Sequence, residues 1–300
     1  MANPWDPDID FDTAVARRLV ASQFPEYADA SLVPFGQGWD NRLLLLNDRW
    51  ILRFPVRHLA GSLIINEMAT LPYLQPGLSL PIPSPAFAGE PDKDYPFRWM
   101  GYDKLPGEVL CHIDPPPATA ELASQVGAFL RELHASDSEV VEIPHDVHYK
   151  ANLDARFEQV DERFQRLIDD DIVPAEDGQN AIGLARDLSK AEGWRQDLAI
   201  VHGDLYGYHI LSDGVSATGI IDWGDIHRGD PAIDLSIGYS WFSGDARHAL
   251  FDAYGAIDDA THARARFRAI FYAPILIQYG KDIGDMGVEM AGWRALELTG

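Results

Sequence analysis

The first third of the chain carries short apolar runs whose spacing changes from helical to extended. Apolar residues recur at helical spacing over 11–24, which predicts an opening helix. Three short apolar runs follow at 32–35, 42–46 and 49–54, separated by polar or glycine-containing turns. Runs of this length joined by such turns predict a three-stranded antiparallel meander.

The pattern continues with a second helix and two more strands before it breaks. Helical spacing predicts a helix over 63–74, although Pro72 argues against an undisturbed end to it. Strands are predicted at 84–88 and 97–102. A proline-glycine break follows, so we predict a first lobe over 1–104.

Beyond three consecutive prolines at 115–117 the pattern becomes helical. The clearest helix is predicted over 120–134, where the apolar residues fall on one side. The same spacing predicts further helices at 153–168, 233–242, 246–254 and 263–277. The chain is therefore expected to be an α+β protein with a small antiparallel-sheet lobe followed by a mainly helical lobe over 105–300.

Composition narrows the partners and the environment. With 47 acidic and 24 basic residues the formal net charge is −23, which repels nucleic acids and anionic membranes and favours cationic small molecules, although acidity also serves solubility. A single cysteine excludes an internal disulfide and a cysteine-based zinc site. The sequence shows neither a signal-peptide pattern nor an apolar run of transmembrane length. We expect a soluble, cytoplasmic, monomeric protein that binds no nucleic acid and no membrane.

The segment with the most chemistry surrounds a predicted hairpin. Apolar runs at 198–201, 210–211 and 218–221 predict strands that enter a loop, leave it and return to it. Asp204 and Asp222 are therefore expected to lie close together. Either aspartate alone would be interpreted as a turn or cap residue. Both together around one hairpin favour a chemical role.

The residue types in this segment suit a divalent cation that holds a polyphosphate in front of a base. Asp204 is predicted to accept the proton of a hydroxyl, or to hold it in line, while its oxygen attacks phosphorus. Asp222 is predicted to bind Mg²⁺. His209 is placed to be a second ligand, although imidazole is softer than the oxygen ligands that Mg²⁺ prefers. His202 is interpreted as a buried structural residue that bonds the loop backbone.

Two further aspartates after the hairpin are interpreted as structural. Asp230 precedes a proline at the first turn of a predicted helix, a position typical of an N-cap. Asp234 is the candidate to brace the loop that carries Asp204.

Residues of the first lobe are candidates for binding nucleotide phosphates. Gly36 and Gly38 flank one residue in the first predicted turn, where backbone amides can approach a phosphate without interference from Cβ atoms. Arg53 is a lone cation in an apolar strand, and Glu67 on the following helix can pair with it. The alternative for Arg53 is an outward-facing charge on an alternating strand.

The remaining candidates are predicted contacts of the purine base and of the acceptor substrate. Met100 and Tyr102 end a predicted strand before the interlobe break, where backbone groups can bond a purine edge. Ile221, directly before Asp222, is assigned to the same nucleotide site. Contacts with an acceptor substrate are predicted from the loop after Asp222 and from the carboxy-terminal helices, at His227, Tyr272, Tyr279 and Asp282.

These motifs together resemble the antibiotic kinases of the aminoglycoside and macrolide phosphotransferase group, whose fold is similar to that of protein kinases. The resemblance runs over about 35–234. His202-Gly203-Asp204 resembles the catalytic loop of that family, Ile221-Asp222-Trp223 its metal-binding motif, and the segment 36–41 its nucleotide loop. The resemblance implies a protein-kinase-like two-lobe fold.

Two departures within the resemblance refine what it implies. His209 and Arg53 stand where most aminoglycoside kinases have asparagine and lysine, and histidine at that place resembles the macrolide 2′-phosphotransferases. This implies Mg²⁺-dependent transfer of the γ-phosphate of GTP or ATP to the 2′-hydroxyl of a macrolide's amino sugar, which inactivates the antibiotic. An aminoglycoside or an amino alcohol is the alternative acceptor. A catalytically weak nucleotide-binding regulator is the alternative of another class.

Overall fold

The structure is a computed structural model that describes residues 7–38, 40–136, 143–146, 152–190 and 198–299. The chain divides into two compact units, of which the first comprises Met1–Pro76 and Ile82–Leu105 and the second Gly77–Pro81 and Pro106–Gly300. Within the described ranges, no helix has both the length and the apolar character needed to cross a lipid bilayer.

The first unit is built on a five-stranded sheet. Its elements are, in chain order, α1 (Thr13–Gln23), β1 (Leu32–Gln37), β2 (Asn41–Leu46), β3 (Trp50–Pro55), α2 (His58–Leu74), β4 (Pro85–Gly89) and β5 (Trp99–Asp103). The strand order is β1-β2-β3-β5-β4, and all neighbouring strands are antiparallel. The predicted meander is confirmed, and the two later strands extend it.

Aromatic stacking fills the core of the first unit. Phe54 stacks on both Trp99 and Phe11. In each pair the ring centres lie 4.9 Å apart. Phe54 and Trp99 are fully buried, and burial of one such side chain contributes about 2–3 kcal/mol. Gly89 lies opposite Trp99, and a Cβ atom there would lie 1.9 Å from the indole. Glycine at this position makes room for the ring.

The second unit is mainly helical and contains two small antiparallel sheets. Its elements are β6 (Glu108–Val109), α3 (Ala120–His134), α4 (Leu153–Asp169), α5 (Ala175–Leu188), β7 (Ala199–Val201), β8 (Ile210–Ser212), β9 (Ala217–Ile220), β10 (His227–Gly229), α6 (Ala232–Leu235), α7 (Ile237–Ser240), α8 (Gly244–Tyr254), α9 (Asp259–Ile283) and α10 (Met286–Thr299). One sheet has the order β6-β8-β9, and the other pairs β7 with β10.

Helix α9 forms the centre of the second unit. Its buried apolar residues pack with those of α4 and α5 in one cluster. Helix α10 approaches α9 closely because each helix carries a glycine at the contact. A Cβ atom at Gly280 would lie 2.3 Å from the backbone nitrogen of Glu289, and one at Gly292 would lie 2.6 Å from that of Ile277.

The predicted α+β class is confirmed, with an antiparallel sheet followed by a mainly helical part. The helix predicted over 120–134 has the same bounds as α3. The predictions over 153–168, 246–254 and 263–277 correspond to α4, α8 and α9, although α9 is longer at both ends. Helices α5 and α10 and strand β10 were not predicted.

Two predicted helices differ from the structure. The single helix over 233–242 is wrong, because the segment forms α6 and α7 on either side of Ser236, whose hydroxyl donates to the carbonyl of Ile233 at 2.7 Å and competes with the backbone ladder. Helix α2 begins at His58, earlier than predicted, and Arg57 at its N-cap makes no side-chain cap bond that could mark the start. Pro72 lies inside the end of α2.

Gly127 of α3 sets the closest approach to α8. A Cβ atom there would lie 2.1 Å from the carbonyl oxygen of Leu250. We expect Gly127→Ala to lower the free energy of unfolding by about 1–3 kcal/mol, since overpacking forces the helices apart. In the control Gly183→Ala, nothing lies within 4 Å of the new Cβ atom, so stability should rise by about 0.5–1 kcal/mol. Urea-induced unfolding measures both; an unchanged stability of Gly127→Ala would contradict the close approach.

Candidate active site

The candidate site lies in the second unit, where the loop after β7 meets the end of the β8–β9 pair. Ile210 pairs with Ile220, and the amide of Ile221 donates to the carbonyl of His209 at 2.9 Å. The pairing therefore continues one residue beyond both strands. This continuation brings His209 next to Asp222, as the predicted hairpin required.

A buried carboxylate holds the loop that carries Asp204. Asp234 accepts hydrogen bonds from the amides of His202 and Gly203, at 2.7 and 2.9 Å. His134, the last residue of α3, lies with its Nε2 3.1 Å from the same carboxylate and donates to it. The predicted brace is confirmed, and His134 is a partner that the sequence did not predict.

The charge of Asp234 is stabilised by these partners. Burial raises the pKa of the carboxyl, but the hydrogen bond from His134, the imidazole of His202 and the amide of Gly203 outweigh it and hold the pKa below its ordinary value. The carboxylate is therefore ionised at neutral pH and accepts all of its donors.

Gly203 forms the turn that presents Asp204. Its φ is +85°, in the left-handed region, and a Cβ atom there would lie 2.3 Å from the carbonyl oxygen of Asp225. Both the backbone angle and the neighbouring chain therefore require glycine directly before Asp204.

His202 bonds the loop backbone, as expected. Its ring is fully buried, with Nε2 3.0 Å from the carbonyl oxygen of Ile221 and Nδ1 accepting from the amide of Asp204 at 3.3 Å. Burial is the largest influence on its pKa and lowers it. A neutral imidazole with its proton on Nε2 satisfies both contacts, so His202 ties the loop to the end of β9.

His209 links the two aspartates. Its Nδ1 lies 2.7 Å from the carbonyl oxygen of Asp204 and donates to it, and its Nε2 lies 3.4 Å from Oδ2 of Asp222. Nδ1 also lies 3.8 Å from Oδ2 of Asp204. Only 4% of the His209 side chain is exposed, against 20% for Asp204 and 45% for Asp222. The three predicted side chains thus come together, with both carboxylates accessible.

Asp222 has an unusual backbone. Its φ is +63°, in the left-handed region that few residues other than glycine enter. Aspartate and asparagine are the common exceptions, because their short polar side chains tolerate that conformation. The chain therefore turns sharply at the residue that carries the predicted metal ligand.

The arrangement of His209 and Asp222 fits a divalent cation. With its proton on Nδ1, His209 directs the Nε2 lone pair at a carboxylate oxygen, so two electron-pair donors face each other. Burial lowers the pKa of His209, but the hydrogen bond and charge of Asp222 raise it overall, so in the absence of metal a proton competes for this place. The described residues contain no cluster of three or more histidine, cysteine or acidic ligands. Two protein ligands suffice for Mg²⁺ when phosphates and water complete its shell.

Tyr272 contacts the candidate base itself. Its hydroxyl donates to Oδ1 of Asp204, and the guanidinium of Arg268 lies 4.2 Å from the centre of its ring. Burial and the charge of Asp204 raise the pKa of Tyr272 well above its ordinary value, so the phenol keeps its proton. The sequence assigned Tyr272 to substrate contact. It gave no signal for this bond, whose partners are separated by 68 residues.

In the first unit, Arg53 and Glu67 form a buried ion pair. Nη1 of Arg53 lies 2.7 Å from Oε2 of Glu67. The pairing predicted between them is confirmed, and the outward-facing alternative for Arg53 is wrong. Met100 lies opposite Arg53 in the β3–β5 register, and the side chains of Met100 and Tyr102 are buried. Both residues lie in an interior strand that pairs with β3 on one side and β4 on the other, so their contact with a purine edge stays a prediction.

Gly36 lies in β1, beside a register irregularity, and Gly38 follows β1 in the turn to β2. The amide of Gly38 donates to the carbonyl of Asn41 at 3.0 Å. Neither glycine has a left-handed φ, and a Cβ atom on either would meet its nearest described neighbour at 3.7 or 3.9 Å, an ordinary contact. Within the described residues, neither backbone strain nor crowding requires glycine here. Close approach of a ligand to the backbone is a reason that remains.

The other residues predicted to contact an acceptor are placed differently from one another. His227 is buried, bonds the carbonyl oxygen of Asp225 through Nδ1 at 2.6 Å and packs beside Gly203, so it supports the loop backbone. Tyr279 is buried in α9. Asp282 is exposed near the end of α9 and accepts a bond from Gln278 at 2.7 Å.

Asp230 joins α6 to α9. Its Oδ1 accepts the amide of Ala232, the first residue of α6, at 2.9 Å, but the N-cap residue is Pro231 and not Asp230 as predicted. Its Oδ2 lies 2.7 Å from Nε of Arg264, and both side chains are buried. This ion pair was not predicted.

Replacement of the buried brace tests its contribution. We expect Asp234→Asn to lower the free energy of unfolding by about 1–3 kcal/mol for each buried donor left unpaired, because an amide group cannot accept from both backbone amides and His134. Because the pKa of Asp234 is lowered in the folded state, its contribution is present above the unfolded value of about 4 and is lost as pH falls below it. The variant should therefore lose less stability than the unaltered protein as the pH falls from about 5 to about 3.

Asp213→Asn is the matched control for this measurement. Asp213 also accepts two backbone amides, those of Val215 and Ser216, but it is exposed to water. Its replacement should cost clearly less. Equal losses for the two variants in urea-induced unfolding would show that burial does not make Asp234 special.

The chain resembles known proteins in sequence and in fold. Residues 31–268 match the phosphotransferase enzyme family, APH. No curated protein sequence gives a significant match. The fold is similar to that of APH(2″)-IIIa, solved as a GDP and kanamycin complex, with a TM-score of 0.69 and 21% identity over 95% of this chain and 98% of the other.

Two macrolide kinases are also similar in fold. Macrolide 2′-phosphotransferase type I has a TM-score of 0.63 and 20% identity, over 98% of both chains. The apoenzyme of macrolide 2′-phosphotransferase MphH from Brachybacterium faecium has a TM-score of 0.57 and 20% identity, over 89% of this chain and 91% of that one. The antiparallel sheet, the helical unit and the match over 31–268 lead to one conclusion: the chain belongs to the APH phosphotransferase enzyme family.

Proposed function

We propose that the protein transfers the γ-phosphate of GTP or ATP to a hydroxyl of a small molecule, with the 2′-hydroxyl of a macrolide's amino sugar as the favoured acceptor. The observation that carries the proposal is the meeting of Asp204, His209 and Asp222 on a loop held by a buried carboxylate. Two similar structures are GDP complexes of antibiotic kinases, which supports a nucleotide donor. We include in the proposal a monomer that acts in the cytoplasm.

Asp204 is the proposed base. Tyr272 donates to its Oδ1, so Oδ2 is left to accept the proton of the acceptor hydroxyl. As that proton moves to Asp204, the hydroxyl oxygen forms a bond to the γ-phosphorus, and the bond from phosphorus to the bridging oxygen of the nucleotide breaks. Asp234 keeps the loop fixed during this step because it holds the amides of His202 and Gly203.

The nucleotide donor would be bound through a metal ion and through direct contacts with the protein. His209 and Asp222 would ligate Mg²⁺, which supplies neutralisation of the phosphate charge. Gly36 and Gly38 offer their backbone, and Arg53 a guanidinium whose position Glu67 fixes. Met100, Tyr102 and Ile221 are further proposed contacts of the nucleotide.

A macrolide suits the surface at the end of α9. Ile283 at the end of α9 and Met286 and Met290 in the first turns of α10 are exposed, and Asp282 lies on the same stretch. A macrolide presents a large apolar ring and a single cationic sugar, so apolar surface with a few carboxylates fits it. A polycationic aminoglycoside would need more acidic groups and less apolar surface.

Turnover and its dependence on Asp204 are the first test. The purified protein with Mg²⁺, GTP or ATP and a panel of macrolides should yield a product heavier by one phosphate in mass spectrometry. Asp204→Asn should lower kcat by at least about 100-fold, because the base is removed, while nucleotide binding persists. Gly183→Ala serves as the folded control with full activity. If no macrolide gains mass but an aminoglycoside or amino alcohol does, the acceptor is misassigned; nucleotide binding without any turnover would favour a regulator.

The metal role of His209 is tested by metal preference. His209→Asn replaces a nitrogen ligand by an oxygen ligand, which Mg²⁺ prefers and softer ions do not. We expect turnover with Mg²⁺ to stay within about tenfold, while the ratio of Mn²⁺-supported to Mg²⁺-supported turnover falls. His248→Asn, on the exposed face of α8, is the control and should leave the ratio unchanged. An unchanged ratio in His209→Asn as well would mean that the imidazole does not ligate the metal.

A further inference from the structure

A group of arginines lies around Phe271 and its neighbour Tyr272, the residue that contacts Asp204. Arg156 and Arg163 come from α4, and Arg268 comes from α9. Their guanidinium carbons lie 5.1, 4.6 and 5.2 Å from the centre of the Phe271 ring. Arg268 also lies over Tyr272, which donates to Asp204. We call Arg156, Arg163 and Arg268 the arginine cluster.

The arginine cluster is unexpected in a chain with a net charge of −23. Guanidinium groups gathered around one ring repel each other, and burial reduces their hydration by water. Burial, followed by the charge of neighbouring arginines, lowers the pKa of both Arg163 and Arg156. Asp146 lies near enough to Arg156 to offset part of its charge, and Arg156 also bonds Gln159 at 3.0 Å. The positive charge is therefore compensated least at Arg163 and Arg268.

Arg163 and Arg268 have few polar partners. Among the residues that the structure describes, neither forms an ion pair with a carboxylate. Nη1 of Arg163 is buried and has no hydrogen-bond partner in the same ranges. Arg268 is only 6% exposed. Stacking on an aromatic face offsets only part of the cost of burying a guanidinium.

Other arginines of this unit show how the fold satisfies a guanidinium on an aromatic ring. Arg247 lies over Tyr239 and donates to the carbonyls of three residues, Gly238, Phe242 and Leu298. Arg294 lies over Trp241 and donates to its carbonyl at 2.8 Å. These arginines are structural and their donors are used. Arg163 and Arg268 share the stacking, but no backbone carbonyl in the described part of the chain accepts from them.

We propose that the arginine cluster is an anion subsite that takes a phosphate or carboxylate group. A guanidinium presents a planar set of donors that matches such groups, and Arg163 and Arg268 offer donors that no described residue accepts. The anion has two possible sources: a charged group of the acceptor molecule, or a free anion such as inorganic phosphate. The subsite is independent of the macrolide proposal, because its geometry involves neither the nucleotide nor the metal.

Binding of inorganic phosphate to the nucleotide-free and metal-free protein tests the subsite. Isothermal titration calorimetry and thermal unfolding should show binding in the unaltered protein. Arg163→Met keeps the length of the apolar stem and removes the charge, so phosphate should bind at least about tenfold more weakly. Arg186→Met is the matched control: Arg186 stacks on Phe157 at 5.4 Å but is exposed and outside the cluster. Its phosphate affinity should equal that of the unaltered protein.

Two results would overturn the subsite. One is the same phosphate affinity in Arg163→Met and the unaltered protein, which would place any bound phosphate elsewhere, for example at Arg53. The other is a fall in the melting temperature of Arg163→Met without phosphate, which would show that the fold itself satisfies this arginine. We expect that temperature to stay the same or to rise, since an uncompensated charge is removed.

Kinetics separate the two sources of the anion. With any acceptor that the turnover test identifies, phosphate that raises the acceptor KM without changing kcat competes for the subsite, so the acceptor places a group there. Phosphate that changes kcat alone binds as a free anion. Failure of every acceptor would refute the proposed function and leave the calorimetric result standing.

Discussion

The chemistry of this protein depends on one buried carboxylate that receives several donors. Asp234 binds the amides of His202 and Gly203 and the ring of His134. Without a charge at that point, two amides directly before Asp204 would be buried without acceptors. The short helix that carries Asp234 is itself fixed to α9 through Asp230 and Arg264. The position of the catalytic candidate is thus set from the middle of the helical unit, far along the chain from the loop itself.

Positive charge in this acidic protein is placed locally and for different purposes. Arg53 is neutralised by Glu67, and Arg264 by Asp230, each in a buried pair. Arg247 and Arg294 donate hydrogen bonds to backbone carbonyls. The arginine cluster follows neither scheme. An excess of acid over the whole surface therefore coexists with a few interior points where a guanidinium is retained, and net charge alone says little about what the site binds.

Local patterns in the sequence predicted the elements well where apolar spacing was strong. Helix α3 has a broad apolar face, and its bounds were predicted to the residue. Helices α5 and α10 were missed because their buried faces rely on glycine and alanine, such as Gly178 and Ala181 or Ala291 and Gly292, which give little hydrophobic signal.

The same limit applies to the site. Asp204, His209 and Asp222 could be found because one hairpin connects them in sequence. Tyr272 bonds Asp204 across 68 residues, and His134 bonds Asp234 across 100. Neither spacing leaves a local pattern. At Asp222, two independent demands meet: the left-handed backbone admits few residue types, and the proposed metal site needs a carboxylate. Asparagine satisfies the first demand and not the second, so a descendant of this chain could lose its chemistry through one exchange while its backbone stayed the same.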